Sequence, residues 1–151
     1  MAHTNRVRVV LGGLLAGVVI NITEYIENGI VLKADWGQAM QALGKSPQLT
    51  GSAIAIYNLW GFLAGIAALW IYAAIRPRYG AGPGTAARAG FAAWILAGLL
   101  AALANYPSGL FPTRLLVITT IVGLIEMVIA TIIGASIYKE ASADAVRSAA
   151  A

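Results

Sequence analysis

Cysteine is absent from the 151-residue chain, which excludes disulfides, thiolate metal sites, cysteine nucleophiles and thiol redox chemistry. Histidine occurs once, as His3 beside the N-terminus. That inventory excludes His-ligated haem, His-rich metal centres and Ser-His-Asp catalysis. His3 itself is expected to be a mobile surface residue of an untethered end. Charge is also scarce: 11 % of residues are charged, against about 25 % in an ordinary soluble domain, while 60 % are hydrophobic. No solenoid-type repeat and no low-complexity segment interrupts the chain before the Ala/Ser-rich stretch after Glu140.

What is present is long apolar sequence. Four stretches, about 7–32, 52–75, 86–105 and 115–139, are each long enough to cross a hydrocarbon core of about 30 Å at 1.5 Å per residue. Arg6 and Arg8 ahead of Val9 imitate the basic start of a signal peptide, but no small-x-small cleavage pattern follows. The stretch is therefore read as the first transmembrane helix. The second is expected to stop before Pro77, which blocks helical hydrogen bonding and pushes the preceding residue out of helical geometry. The short turn-rich loops over 76–84 and 105–113 make successive helices antiparallel neighbours. In the longer connection, Trp36, Met40 and Leu43 recur at helical spacing, predicting a two-turn interfacial helix over 35–43 with Asp35 as N-cap and Gly44 as stop. An ordinary loop is the alternative there.

Lys and Arg residues set orientation. The N-terminal tail, the 76–90 region and the C-terminal tail hold Arg6, Arg8, Arg76, Arg78, Arg88, Lys139 and Arg147; the other side holds Lys33, Lys45 and Arg114. The expected fold is thus an all-α integral membrane protein, a four-helix antiparallel transmembrane bundle forming one domain over 1–151, with both termini cytoplasmic. The expected location is a bacterial inner membrane. The net charge of +4 falls on the cytoplasmic side, where anionic lipid headgroups account for it without a nucleic-acid partner.

Each helix carries a stripe of small or polar residues. In the first, Gly13, Gly17, Asn21, Glu24 and Asn28 share one face; in the second, Asn58, Gly61, Gly65, Ala68 and Tyr72 do. The third presents Gly90, Ala93, Ala97, Ala101 and Asn105 and reads as a packing helix. The fourth presents Thr119, Gly123, Glu126, Ala130 and Gly134. Such stripes permit close helix packing in lipid, so a leucine at Gly17 or Gly123 is expected to disrupt it.

A carboxylate placed in hydrocarbon costs about 2.5–3.5 kcal/mol on insertion scales, so Glu24 and Glu126 are expected to face protein or water and to mark a functional site. Glu24 and Asn58 lie about six residues from the outer ends of their helices, and Asn21 and Glu126 near the middle. Asn21, Glu24, Asn58 and Glu126 are therefore predicted to gather into one polar cluster in the outer half of the membrane, with Tyr25, Tyr57 or Thr119 as supporting donors. Glu27 and Asn28, nearer the boundary, read as residues facing headgroups or water.

Three functions fit these residues. Paired carboxylates suit proton- or cation-coupled transport or conduction of a small solute; neither glutamate-bearing helix holds an internal proline, so the broken helices of larger transporters are not indicated. Alternatively, the stripes and asparagines serve assembly in a non-catalytic accessory subunit. The third function is a lipid- or quinone-binding membrane enzyme. The four oxygen-bearing side chains would suit a hard cation there, although the metal is unknown and the His-carboxylate motifs of di-iron bundles are missing. The glycines at 37, 44, 80, 82 and 84 do not make a phosphate-binding loop, lacking the spacing, a strand and an acidic ribose partner. No cofactor is expected. With so few helices per chain, a homo-oligomer or a subunit of a larger membrane complex is expected.

Overall fold

The computed structural model describes residues 4–140. His3, Arg147 and the tail beyond Glu140 lie outside the described residues. Every element among the described residues is helical. We denote them α1 (Arg6–Val31), α2 (Lys33–Ala42), α3 (Gly51–Tyr79), α4 (Pro83–Ser108) and α5 (Thr113–Ala135). All except α2 are long and apolar enough to cross a membrane.

Local chemistry explains where these helices begin. The Asn5 side chain accepts the Arg8 backbone N–H at 3.1 Å, capping α1, and Thr50 Oγ1 accepts the Ala53 N–H at 3.2 Å, capping α3. Pro83 opens α4, where its missing N–H would have had no helical partner. The end of α3 departs from expectation, since the helix runs through Pro77 to Tyr79 and stops only at Gly80, whose φ is +82°. So close to the end, proline costs one backbone bond without preventing the final turn, and Gly80 closes it by donating to the Arg76 carbonyl at 2.8 Å.

Asp35 does not cap α2 either. Helix α2 starts earlier, directly after Leu32, leaving Asp35 in its first turn, paired with Arg114. Gly44, with φ +68°, does follow its end. The helix is docked on the bundle: Leu32 and Ala39 bury against Leu115, with Trp36 and Ile118 packed alongside.

Two of the long helices widen without proline. Tyr25–Val31 at the end of α1 and Ile95–Leu99 within α4 are π-helical, and the Leu32 N–H reaches the Glu27 carbonyl, five residues back, at 2.7 Å. Such wide turns interrupt a helix face through hydrogen-bond register alone.

Packing follows an up-down path. Gly13 lies against Ile66, Gly17 against Phe62 and Gly61 against Asn21, so α1 and α3 are antiparallel. Gly12 meets Gly134 while Asn5 meets Tyr138, which sets α5 antiparallel to α1. Helix α4 packs on both α3 and α5, and α3 touches α5 across the diagonal. Arg6, Arg8, Arg76, Arg78, Arg88 and Lys139 consequently share one end, the basic end, and α2 and the α4–α5 turn occupy the other.

Small residues fill the interior. Ala16, Ala68, Ala86, Ala89 and Ala130 are fully buried, whereas Val18, Ile22, Ile56, Leu63, Trp70, Ile121 and Ile125 face outward. Burying small side chains lets backbones approach, and dispersion between them holds helices together where lipid removes the hydrophobic drive. The expected packing stripe of α4 is only half used. Thr85, Ala86, Ala89, Gly90 and Ala93 are buried, but no residue from Ile95 to Ser108 is. Ala97, Ala101 and Asn105 line an opening instead of a seam.

Candidate functional site

The opening begins where α4 widens. It is a cavity of about 220 Å³ between the second half of α4 and the other long helices. Glu24 enters it from α1 and Trp60 from α3; Trp94, Ala97, Ala101 and Asn105 line it from α4, and Thr119, Gly123 and Glu126 from α5. Along α5 the lining runs from Leu116 to Met127, about 16 Å at 1.5 Å per residue. Its upper part reaches toward the α2 end, where Asn105 is exposed.

Below Met127 the bundle is closed by backbone contact. A Cβ on Gly90 would stand 2.7 Å from the Met127 carbonyl, and one on Gly12 the same distance from the Gly134 carbonyl. Thr131 is fully buried there and returns its hydroxyl to the Met127 carbonyl at 2.6 Å.

Glu126 lies deep in the cavity lining. It is 5 % exposed, and its Oε2 is buried with no hydrogen-bond partner. Glu24 is half-buried and held in a chain: Asn28 Nδ2 donates to Glu24 Oε2 at 2.6 Å, and Trp36 Nε1 donates to Asn28 Oδ1 at 2.7 Å. The Trp36 ring stands edge-on to Phe111 at 5.6 Å. Thus α2, through one indole, fixes the amide that addresses Glu24.

Glu27 belongs to the same group and does not face water or headgroups: it is 7 % exposed, with Oε1 buried and unpartnered. The docking of Leu32 and α2 over this end of α1 gives that region an interior that boundary depth alone does not predict. Asn28 is likewise drawn inward by Glu24 and Trp36. The three carboxyl groups of Glu24, Glu27 and Glu126 lie within electrostatic reach of one another. Among the described residues no group of three His, Cys, Asp or Glu side chains is placed to hold a metal ion.

The chain matches no known protein-family model, and comparison with curated proteins and with solved structures gives no match.

The predicted four-residue cluster divides. Glu24 and Glu126 line one cavity, and Thr119 joins them while donating its hydroxyl to the Leu115 carbonyl at 2.9 Å. Asn21 instead sits in the α1–α3 seam, donating to the Gly17 carbonyl at 2.8 Å and the Asn58 carbonyl at 3.2 Å. The Asn58 side chain is exposed and donates back to the Ile54 carbonyl at 2.8 Å. Tyr25 and Tyr57 are 67 % and 60 % exposed, and neither lines the cavity.

Trp60 and Trp94 carry no periodic polar signal, and a reading based on charged and small residues passes over them. Trp94 Nε1 donates across the helix interface to the Thr120 carbonyl at 2.9 Å, and its ring lies beside Phe91, the planes tilted by 31° with centroids 5.5 Å apart. Only the absence of side-chain bulk at Gly98 and Gly123, which flank that ring, hints at its place.

Proposed function

We propose that this chain is a multi-pass protein of a bacterial inner membrane, with both termini cytoplasmic, and that it conducts or exchanges a proton or cation through Glu126 and Glu24. The observation that carries the reading is the unpartnered, buried carboxyl oxygen of Glu126, deep in a cavity that extends toward one end of the bundle and is sealed toward the other. A buried acceptor without a donor is costly unless a proton, a cation or solvent meets it. Glu24, addressed by Asn28, supplies a second carboxylate on the same cavity. Access from one side at a time is what coupled exchange needs. The basic end, by the positive-inside rule, is the cytoplasmic one.

Flux in proteoliposomes under imposed pH and cation gradients tests this. Wild-type protein should carry flux that Glu126→Gln abolishes and Glu24→Gln reduces, with both variants retaining native size in detergent. Flux unchanged in Glu126→Gln would overturn the carrier role. The second reading, an accessory subunit or homo-oligomer, is favoured by the Asn21 amide, which joins α1 to α3 as interhelical glue and leaves the cavity alone. It predicts silence under every gradient and a partner or second copy that co-purifies.

A further inference from the structure

The lining of the Glu126 cavity is not that of an inorganic-ion site. Hard cations take six or more oxygen donors, or keep several waters around one or two carboxylates. Here two carboxylates share the cavity with two tryptophans and a run of alkyl surface from Ala97, Ala101 and Met127. The other oxygen-bearing side chains of the lining, Asn105, Thr119 and Thr120, are each bonded back to a carbonyl of their own helix, at Ala101, Leu115 and Leu116. We infer that the cavity binds a compact alkylammonium cation, its charge held by Glu126 and Glu24 and its alkyl groups held by Trp60 and Trp94.

The chemistry of each wall supports this occupant. Trp94 has its indole N–H committed to the Thr120 carbonyl; what it offers the cavity is aromatic carbon, the surface on which alkylammonium cations are recognised. Trp60 stands on α3 and is 42 % exposed. Helix α4 contributes no side chain larger than alanine between Trp94 and Asn105 on the cavity wall, at Ala97, Gly98, Ala101 and Ala102, which leaves room for alkyl bulk and none of the donors a hydrated metal requires. Glu126, nine-tenths buried with one oxygen unpartnered, supplies the charge. Small ligand sites of this kind pair an apolar lining with a few placed polar groups.

The inference rests on the reading of this cavity as a cation site, and its test is a binding measurement that needs no flux. Purified protein in detergent is titrated with tetraethylammonium chloride against sodium chloride of equal ionic strength, following heat and tryptophan fluorescence. Saturable binding of tetraethylammonium alone is expected. Glu126→Gln should weaken it about tenfold or more, as removal of a desolvated charge partner does, and Trp60→Ala about threefold. Trp70→Ala, on the outward face, should leave it unchanged. Since Glu126→Gln alters no shape, Trp60→Ala and Trp70→Ala keep the result interpretable if one variant folds poorly. Folded wild type that shows no saturable binding overturns the inference, as does equal binding by Glu126→Gln or equal competition by sodium. Glutamate-dependent proton or sodium flux without tetraethylammonium binding would overturn it while sparing the transport reading. Binding without flux would uphold it and overturn transport.

Discussion

Gly12 and Gly134 meet backbone to backbone: a Cβ on Gly12 would stand 2.7 Å from the Gly134 carbonyl oxygen. A Cβ on Gly134 would in turn meet the Gly12 carbonyl oxygen, which is backbone and cannot rotate aside as the neighbouring Leu69 side chain could. Gly134→Ala should therefore destabilise the bundle by about 1–3 kcal/mol, the cost of overpacking, measured as a shift in the SDS-unfolding midpoint. Gly123→Ala is the contrasting case. The nearest atom to its added methyl is Trp94 Cδ1 at 3.9 Å, so it should be neutral or gain up to about 1 kcal/mol from helix propensity. Equal loss in both variants would show that the two glycines are not distinguished by packing.

The Trp36–Asn28–Glu24 chain should behave as one unit. Trp36→Phe keeps the ring against Phe111 and deletes the indole donor; Asn28→Ala deletes the amide between. A double-mutant cycle on unfolding free energy should return a coupling of about 0.6 kcal/mol, the average for polar pairs within membranes. Strict additivity would mean that the indole and the amide act independently.

The Asp35–Arg114 ion pair joins α2 to the start of α5 at the surface, with the Arg114 side chain 66 % exposed. Exposed pairs contribute about 0–1 kcal/mol and are screened by salt. Arg114→Ala should accordingly change stability by less than about 1 kcal/mol, with the difference fading in high salt. A larger, salt-insensitive loss would show that Arg114 holds α2 by packing.

Trp94→Phe removes the donor to Thr120 while preserving an aromatic ring beside Phe91. The Thr120 carbonyl then loses an interhelical partner, a loss of about 1 kcal/mol. Amide exchange around Thr120 and Gly123 should accelerate in the variant. Unchanged exchange would place the strength of this contact in the rings alone.

The sequence stripes of α1 and α3 were legible because glycine and alanine at helical spacing have one common use, close approach, and Gly13, Gly17, Gly61 and Gly65 do lie in a single seam. The stripe of α5 misled at Gly123, which lines the cavity and is not closely approached by any helix. Glu24 and Glu126 line one cavity, although their depths along the sequence differ by about one and a half turns and only the packing of α1 on α5 brings them together. What could not be read was register inside the helices. Periodicity at 3.6 residues assumes an unbroken ladder, and the π-turns at Tyr25–Val31 and Ile95–Leu99 contain no residue that announces them. The second of them starts just after the last buried residue of the α4 packing stripe, Ala93. The inward position of Glu27 depended on a second unread event, the docking of α2 over the end of α1 through Leu32, Ala39 and Leu115. Tyr25, Tyr57 and Asn58 lie outside the cavity lining, because the distance of a residue from a helix end does not fix the direction of its side chain.

The layer beneath Met127, where Gly12, Gly90, Ala130 and Gly134 exclude side-chain movement, has an electrical consequence. If water fills the cavity and the chain spans a membrane as proposed, the potential of the α2-side solution would reach down to Glu126, and most of a transmembrane voltage would fall across the closed layer. One elementary charge crossing 100 mV does work of about 2.3 kcal/mol. A cation arriving at Glu126 would feel little of that voltage, and one passing on toward the basic end would feel nearly all of it.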